Sequence, residues 1–173
     1  MNRLEYIQSK LVDKVKAAQL IQMWQLKGDK VVFTNGCFDI LHQGHVSYLA
    51  SAASEGNRLV LGLNTDDSVK RLGKGDDRPI NDEHARAMVL ASLGFVDAIV
   101  LFDEDTPIDL IQSLEPNILA KGADYDPEET DANSSRYIVG SDWVKQNGGD
   151  VIAIPLIEGF STTNTLAKIK GND

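Results

Sequence analysis

Residues 34–45 read TNGCFDILHQGH, preceded by the apolar run Val31, Val32, Phe33 and followed by HVSYLASAA. The apolar run predicts a buried strand, and Asn35-Gly36-Cys37-Phe38 a tight turn with exposed backbone. From His45 onward Val46, Leu49, Ala50 and Ala53 recur at helical spacing, so a helix is expected there. A strand that turns through Gly36 into a helix start presents free N–H groups and the positive end of a helix dipole at one point, which is a phosphate site. His42 and His45 stand at that point, three residues apart, and both side chains can reach one phosphate.

The remaining composition bounds what such a site belongs to. At 173 residues, 42% hydrophobic and 25% charged, the chain fits one soluble globular domain. No apolar run approaches the roughly 18 residues of a membrane helix, and MNRLEYIQSK lacks the apolar centre of a signal peptide, so a cytoplasmic protein without a membrane partner is expected. Cys37 is the only cysteine, so no intrachain disulfide forms. With 17 Lys and Arg against 26 Asp and Glu the net charge is -9, which argues against a nucleic-acid partner. Small anionic substrates must be held locally, and the basic cluster Lys70, Arg71, Lys74, Arg78 is equipped to do so.

Outward from the motif, residues 2–27 carry Leu4, Ile7, Leu11, Val15, Ala18, Ile21 and Trp24 at helical spacing and stop at Gly28, which predicts one broken or two short helices forming an N-terminal extension (1–28) packed on the main domain (29–173). RLVLGLN (58–64), AIVLF (98–102), NILAK (117–121) and DVIAIP (150–155) read as further strands. Between them lie a short helical turn over 66–71, a helix DEHARAMVLASL capped by Asn81 or Asp82, a helix opened by Asp105-Thr106-Pro107, and a helix VGSDWVKQN ended by Gly148-Gly149. STTNTLAKIK begins a last helix. Strands alternating with helices predict a five-stranded parallel sheet covered on both faces, with a ligand beyond the strand ends where the order reverses. All candidate motifs follow strands and converge on that edge.

The residue chemistry leaves alternatives. His42 and His45 suit a charged transition state, and an isolated histidine would also serve as a local hydrogen-bond partner; with His84 the only other histidine, a closed zinc site lacks ligands. Cys37 reads as a nucleophile or as a small turn residue. Ser161, Thr162 and Thr163 open a helix with hydroxyls, which suits a phosphate and an ordinary cap alike. Asp39 and Asp124 are candidates for sugar hydroxyls or a magnesium shell, or are turn residues.

His-x-Gly-His after a strand and Gly36 resembles the signature of the nucleotidyltransferase superfamily that includes cytidylyltransferases. The longer string GCFDILHQGHVSYL, with GFSTTNTLAKI near the C-terminus, is similar to the adenylyltransferase family that joins ATP to D-glycero-β-D-manno-heptose 1-phosphate, giving ADP-heptose and pyrophosphate. The resemblance covers about residues 29–170 and implies a Rossmann-like α/β/α fold of nucleotidyltransferase type. It further implies ATP as substrate, Mg2+ as cofactor and a sugar 1-phosphate as the other partner. His42, His45 and Lys70 would be catalytic. Asn35, Gly36, Cys37, Phe38, Gly44, Arg78, Lys121, Gly122, Ser161, Thr162 and Thr163 would hold the nucleotide, and Asp39, Asp124 and Tyr125 the sugar phosphate.

KRLGKGDDRPIN resembles the family's mobile loop, with Lys70 or Lys74 reaching the α-phosphate. Lys121-Gly122-Ala123-Asp124-Tyr125 departs from the family only by Ala123, and residues 131–137 read as an insertion. Relatives join this unit to a sugar kinase, which is expected here on a separate chain; a homo-oligomer stays open. The rival enzyme is a glycerol-3-phosphate cytidylyltransferase, and the rival of another class is a nucleotide-binding regulatory module.

Overall fold

Alternation of apolar residues along the first strand decides the layering. In β1 (Val31–Gly36), Val31 and Phe33 point to one face while Val32 points to the other, and all three are fully buried. A strand buried on both faces needs cover on both, as parallel sheets generally do. The computed structural model describes every residue except Lys74, Asp76, Glu158, Lys170, Asn172 and Asp173, together with all side chains but those of Asn164, Ala167 and Ile169 within its last helix. β2 (Arg58–Asn64), β3 (Ala98–Phe102), β4 (Ile118–Gly122) and β5 (Asp150–Ile154) complete one sheet of order β3-β2-β1-β4-β5. Every pairing is parallel, with Val31 opposite Arg58 and Gly36 opposite Leu63 on one side of β1, and Val32 opposite Ile118 on the other.

On one face lie α3 (Gln43–Ser54) and α5 (Glu83–Ala91), whose Leu49, Ala52, Ala87 and Leu90 pack on Val32, Leu61 and Ala120. The other face is covered by α2 (Lys14–Leu26), α6 (Ile108–Leu114) and α7 (Ser141–Gln146), through Ile21, Trp24, Ile111, Leu114 and Val144 against Val31, Phe33 and Leu119. This is the three-layer Rossmann-like arrangement. The remaining helices are α1 (Arg3–Gln8), whose Ile7 packs against the α3 and α5 side of the core, α4 (Asp66–Arg71), whose Val69 is fully buried, and α8 (Thr162–Ile169). The chain winds from β1 out to β3 and returns to β4 beside β1, so the reversal point lies between β1 and β4.

Several boundaries differ from the sequence reading. β1 runs on through Asn35 and Gly36, because both keep their pairing with Gly62 and Leu63, and the turn is displaced to the residues after Gly36. α3 starts at Gln43 rather than His45, with His42 as its N-cap. In the N-terminal segment Leu4 and Val15 face solvent, and the buried stripe is Ala17, Ile21 and Trp24. The stripe loses its register because residues 10–12 leave the helix to run beside β3, where Ile99 N donates to Lys10 O and Val12 N to Ile99 O. Pro107 sits one position early, at the N-cap of α6, where it makes no side-chain cap. Among the described residues no helix is long and apolar enough to cross a membrane.

Candidate active site

A cavity of about 650 Å³ opens at the C-terminal ends of β1, β2 and β4. Its wall brings together Asn35, Gly36, Cys37, Phe38, Asp39, His42, Gly44, His45, Arg78, Lys121, Gly122, Asp124, Tyr125, Ser161 and Thr162. Two expected residues are absent from that wall. Thr163 is exposed on α8. Lys70 projects from α4 and pairs with Asp67 at 2.9 Å, its side chain 62% exposed, because a carboxylate three residues back on the same helix captures the ammonium. Lys74, the alternative to Lys70, lies outside the described residues.

The two imidazoles are stacked, with ring centroids 3.8 Å apart and 17° between planes. His42 Nδ1 accepts from His45 N at 3.4 Å, closing the first turn of α3. An accepting Nδ1 puts the proton on Nε2. That Nε2 is buried and has no hydrogen-bond partner among the described residues. Burial also holds the His42 pKa below its ordinary value, so at neutral pH the ring that lines the cavity is uncharged.

The Phe38 ring packs edge-on against His45 at 5.3 Å, and its backbone is left-handed with φ 45°, a conformation a bulky residue holds only under constraint from its surroundings. Gly44 meets the loop before α8 so closely that a Cβ there would come within 3.0 Å of Phe160 Cβ. The N-termini of α3 and α8 therefore abut and face one cavity, each with the positive end of its helix dipole.

The Asp39 carboxylate is engaged within the protein. The side chain is fully buried: Oδ2 accepts from Arg78 Nε at 2.5 Å, and Oδ1 from Ile80 N at 2.8 Å and Asn81 N at 3.0 Å. It clamps residues 78–81 onto the motif. Arg86 extends the clamp. Its guanidinium donates to Cys37 O, Asn81 O and Asp66 Oδ1, tying the motif turn, the loop and α4 together.

Lys121 Nζ lies 3.4 Å from Asn35 O and 5.5 Å from the Tyr125 ring. The Tyr125 phenol is raised in pKa by burial first and by the Asp124 charge second. The Cys37 thiol is buried and directed at Asn64 Oδ1 at 3.8 Å. No group of three or more His, Cys, Asp or Glu side chains is arranged to hold a metal among the described residues.

Sequence reasoning missed Tyr48, Asn64, Thr106, Pro107, Tyr137, Val139 and Phe160, which also line the cavity. Tyr48 shares a 2.7 Å hydrogen bond with Thr34 Oγ1 and donates to Ala120 O at 3.2 Å, anchoring α3 to β1 and β4; burial pushes its pKa up to about 12. Its place three residues after His45, on the same helix face, was the available signal. The others come from separate loops and carry none.

Residues 33–164 match a family model described as cytidylyltransferase-like. The bifunctional protein HldE of Mesorhizobium japonicum is 51% identical to the chain over 160 residues, covering 92% of the chain and 30% of that protein. The bifunctional protein HldE of Gluconobacter oxydans is 53% identical over 153 residues, covering 88% of the chain and 30% of its own length. The chain thus spans about 30% of the curated relatives it matches. A crystal structure of the lipopolysaccharide core biosynthesis protein from Thermoplasma volcanium aligns with a TM-score of 0.57 and 28% identity, over 75% of this chain and 98% of that one.

Proposed function

The chain belongs to the cytidylyltransferase-like family, and from that premise we propose that it is an adenylyltransferase joining ATP to D-glycero-β-D-manno-heptose 1-phosphate, with release of pyrophosphate. One observation carries the reading: two helix N-termini and a stacked histidine pair converge on a single cavity at the reversal point of a parallel sheet. Such a site offers many neutral donors to a polyanion. The choice of ATP and heptose over other pairs rests on the resemblance of GCFDILHQGHVSYL and Lys121-Gly122-Ala123-Asp124-Tyr125 to that enzyme family. The name of the Thermoplasma protein, lipopolysaccharide core biosynthesis, agrees with a carbohydrate product.

In the step, a phosphate oxygen of the sugar 1-phosphate attacks the α-phosphorus, a new P–O bond forms, the α–β anhydride bond breaks, and pyrophosphate leaves with the bond's electron pair. No proton transfer and no covalent enzyme intermediate are required. Catalysis is then a matter of alignment and of donors set where charge grows. His42 Nε2 and His45 would meet the phosphate oxygens, and the first turn of α8, with Ser161 and Thr162, would hold the departing pyrophosphate. Lys121 would add a cation beside the nucleotide, and Arg78 would be presented by the Asp39 clamp. Lys70, paired to Asp67, takes no part in the step as drawn. Magnesium would enter with the nucleotide as part of the substrate and would offset phosphate charge, as its preference for hard oxygen ligands allows.

The test is pyrophosphate release with magnesium, each nucleoside triphosphate and a panel of sugar 1-phosphates. ATP with the heptose 1-phosphate should be fastest, and excess chelator should abolish it. Faster turnover of CTP with glycerol 3-phosphate would move the chain to the rival enzyme, and nucleotide binding without any pyrophosphate would leave a regulatory module.

A further inference from the structure

The cavity straddles the C-terminal edge of the sheet, and its two sides differ in character. On the α3 and α8 side lie the histidines and the hydroxyl-bearing helix start. Across the edge, toward α6 and α7, the wall is built from Thr106, Pro107, Tyr137 and Val139. These two stretches share one support. Ile138, between the two latter residues, is fully buried among Ile111 and Leu114 of α6, and an added Cβ at Gly140 would come within 2.8 Å of Ile111 Cδ1.

The loop that delivers Tyr137 is fastened at both ends and in the middle. Asp126 N donates to Arg136 O at 2.9 Å, Lys145 Nζ donates to Pro127 O at 2.5 Å and to Glu128 at 3.1 Å, and Tyr137 Oη donates to Asp142 at 3.1 Å. A surface loop held in this way presents its side chains in a fixed position, which is what a recognition wall requires.

Resting on the adenylyltransferase reading above, we propose that Tyr137 is the specificity-determining residue of the acceptor subsite and selects a polyhydroxylated ring. In-line displacement brings the acceptor phosphate to the α-phosphorus from the side opposite the departing pyrophosphate. With the pyrophosphate at the helix starts, the acceptor's carbon skeleton lies toward the α6 and α7 wall. A sugar ring has an apolar C–H face and a polar rim, and a tyrosine matches both, the ring against the face and the hydroxyl against the rim. Because Oη donates its one proton to Asp142, it can meet a sugar hydroxyl only as an acceptor. A three-carbon acceptor leaves the ring uncovered and forgoes that hydrogen bond, which is how a polar site disfavours a smaller analogue.

The test measures pyrophosphate release by wild type, Tyr137→Phe and Tyr137→Ala, with ATP and either heptose 1-phosphate or glycerol 3-phosphate, after thermal melts establish that all three fold. Tyr137→Phe should raise the KM for heptose 1-phosphate about tenfold, the size of one lost hydrogen bond, with the KM for ATP unchanged. Tyr137→Ala should lower kcat/KM for the heptose 1-phosphate about a hundredfold and leave the glycerol 3-phosphate rate where it was. A changed KM for ATP, or equal losses with both acceptors, overturns the assignment. If wild type releases no pyrophosphate with any sugar 1-phosphate, the adenylyltransferase reading fails by itself, and saturation-transfer NMR with heptose 1-phosphate then decides the subsite. Transfer to the sugar protons that Tyr137→Ala abolishes, with ATP signals intact, sustains it; transfer that is absent in wild type or survives the substitution refutes it.

Discussion

Gly44→Ala adds one methyl group where the two helix starts meet, and its effects on stability and on catalysis should part company. The new Cβ would lie 3.0 Å from Phe160 Cβ and 3.2 Å from both Cε1 and Nδ1 of His42. Carbon atoms in contact prefer about 3.5–4.0 Å, so the neighbours must yield by roughly 0.5 Å. Gly44 is helical, so alanine gains up to about 1 kcal/mol of helix propensity, and less within a first turn. Overpacking costs about 1–3 kcal/mol, at the low end here because Phe160 is 44% exposed and free to retreat. The net change in stability should stay within about 1 kcal/mol.

Function has no such slack. Phe160 moves with Ser161 and Thr162, and His42 moves with its buried Nε2, so both halves of the phosphate site separate. A misplacement of about 1 Å costs on the order of 10² in rate, and half of that applied to two groups should lower kcat by about 10- to 100-fold, or roughly 1.4–2.7 kcal/mol of barrier. Pyrophosphate release beside thermal melts of the same preparation measures both quantities. A Gly44→Ala protein that melts normally and keeps full kcat would refute the idea that the two helix starts act on one phosphate chain.

Three further outcomes are expected. His45→Ala should lower kcat by about 10² to 10³, with a smaller effect on ATP affinity, because its donor acts on charge that grows in the transition state; weaker ATP binding at wild-type kcat in initial-rate kinetics would contradict this. Asp39→Ala should destabilise the fold by about 3 kcal/mol in urea melts, since it strands the Arg78 guanidinium and two loop N–H groups; a loss under 1 kcal/mol would mean that the clamp is dispensable. Burial lowers the His42 pKa, so the unfolded chain takes up a proton near pH 6.5 that the folded chain resists. The stability from this group is therefore complete above about pH 6.5 and is lost as pH falls toward the folded value, a slope in urea midpoints that His42→Gln should flatten.

The sequence was most informative where function is written in consecutive residues. The strand starts, the short helix Asp66–Arg71 and the stop at Gly148-Gly149 all follow from local chemistry, and they appear where periodicity and glycine put them. Asn35-Gly36 misled because the pair favours turns, yet here it carries ladder bonds to β2, and tertiary pairing outweighed local preference. His42 is not among the usual capping residues, so local sequence alone points to a start of α3 two residues late, at His45. Lys70 drew attention by its charge, while Asp67 on the same helix held the ammonium away. Arg86 reads in sequence as one more solvated charge, and only the fold brings three carbonyl and carboxylate partners around it. Tyr137 and Thr106, which share the cavity wall, lie 31 positions apart by their numbering and on either side of β4, a juxtaposition that no local pattern encodes.

On the proposed reading a chain of net charge -9 holds a triphosphate, and the disposition of its local charges accounts for that. Around the cavity the side-chain cations are largely committed: Arg78 to Asp39, Arg71 to Asp105, and Lys70 to Asp67. Distant carboxylates matter little, because exposed charges are screened beyond about 8–10 Å at physiological salt. Beside Lys121, which approaches Asn35 O and the Tyr125 ring, the cavity is bordered by neutral groups, the helix starts of α3 and α8 and the uncharged His42 ring. Neutral donors are not quenched by the chain's own acids, and they select by direction as well as by sign. A site built on them gains its charge preference from dipoles fixed in the fold, so the acidity of the surface and the affinity proposed for the cavity toward polyphosphate are set independently.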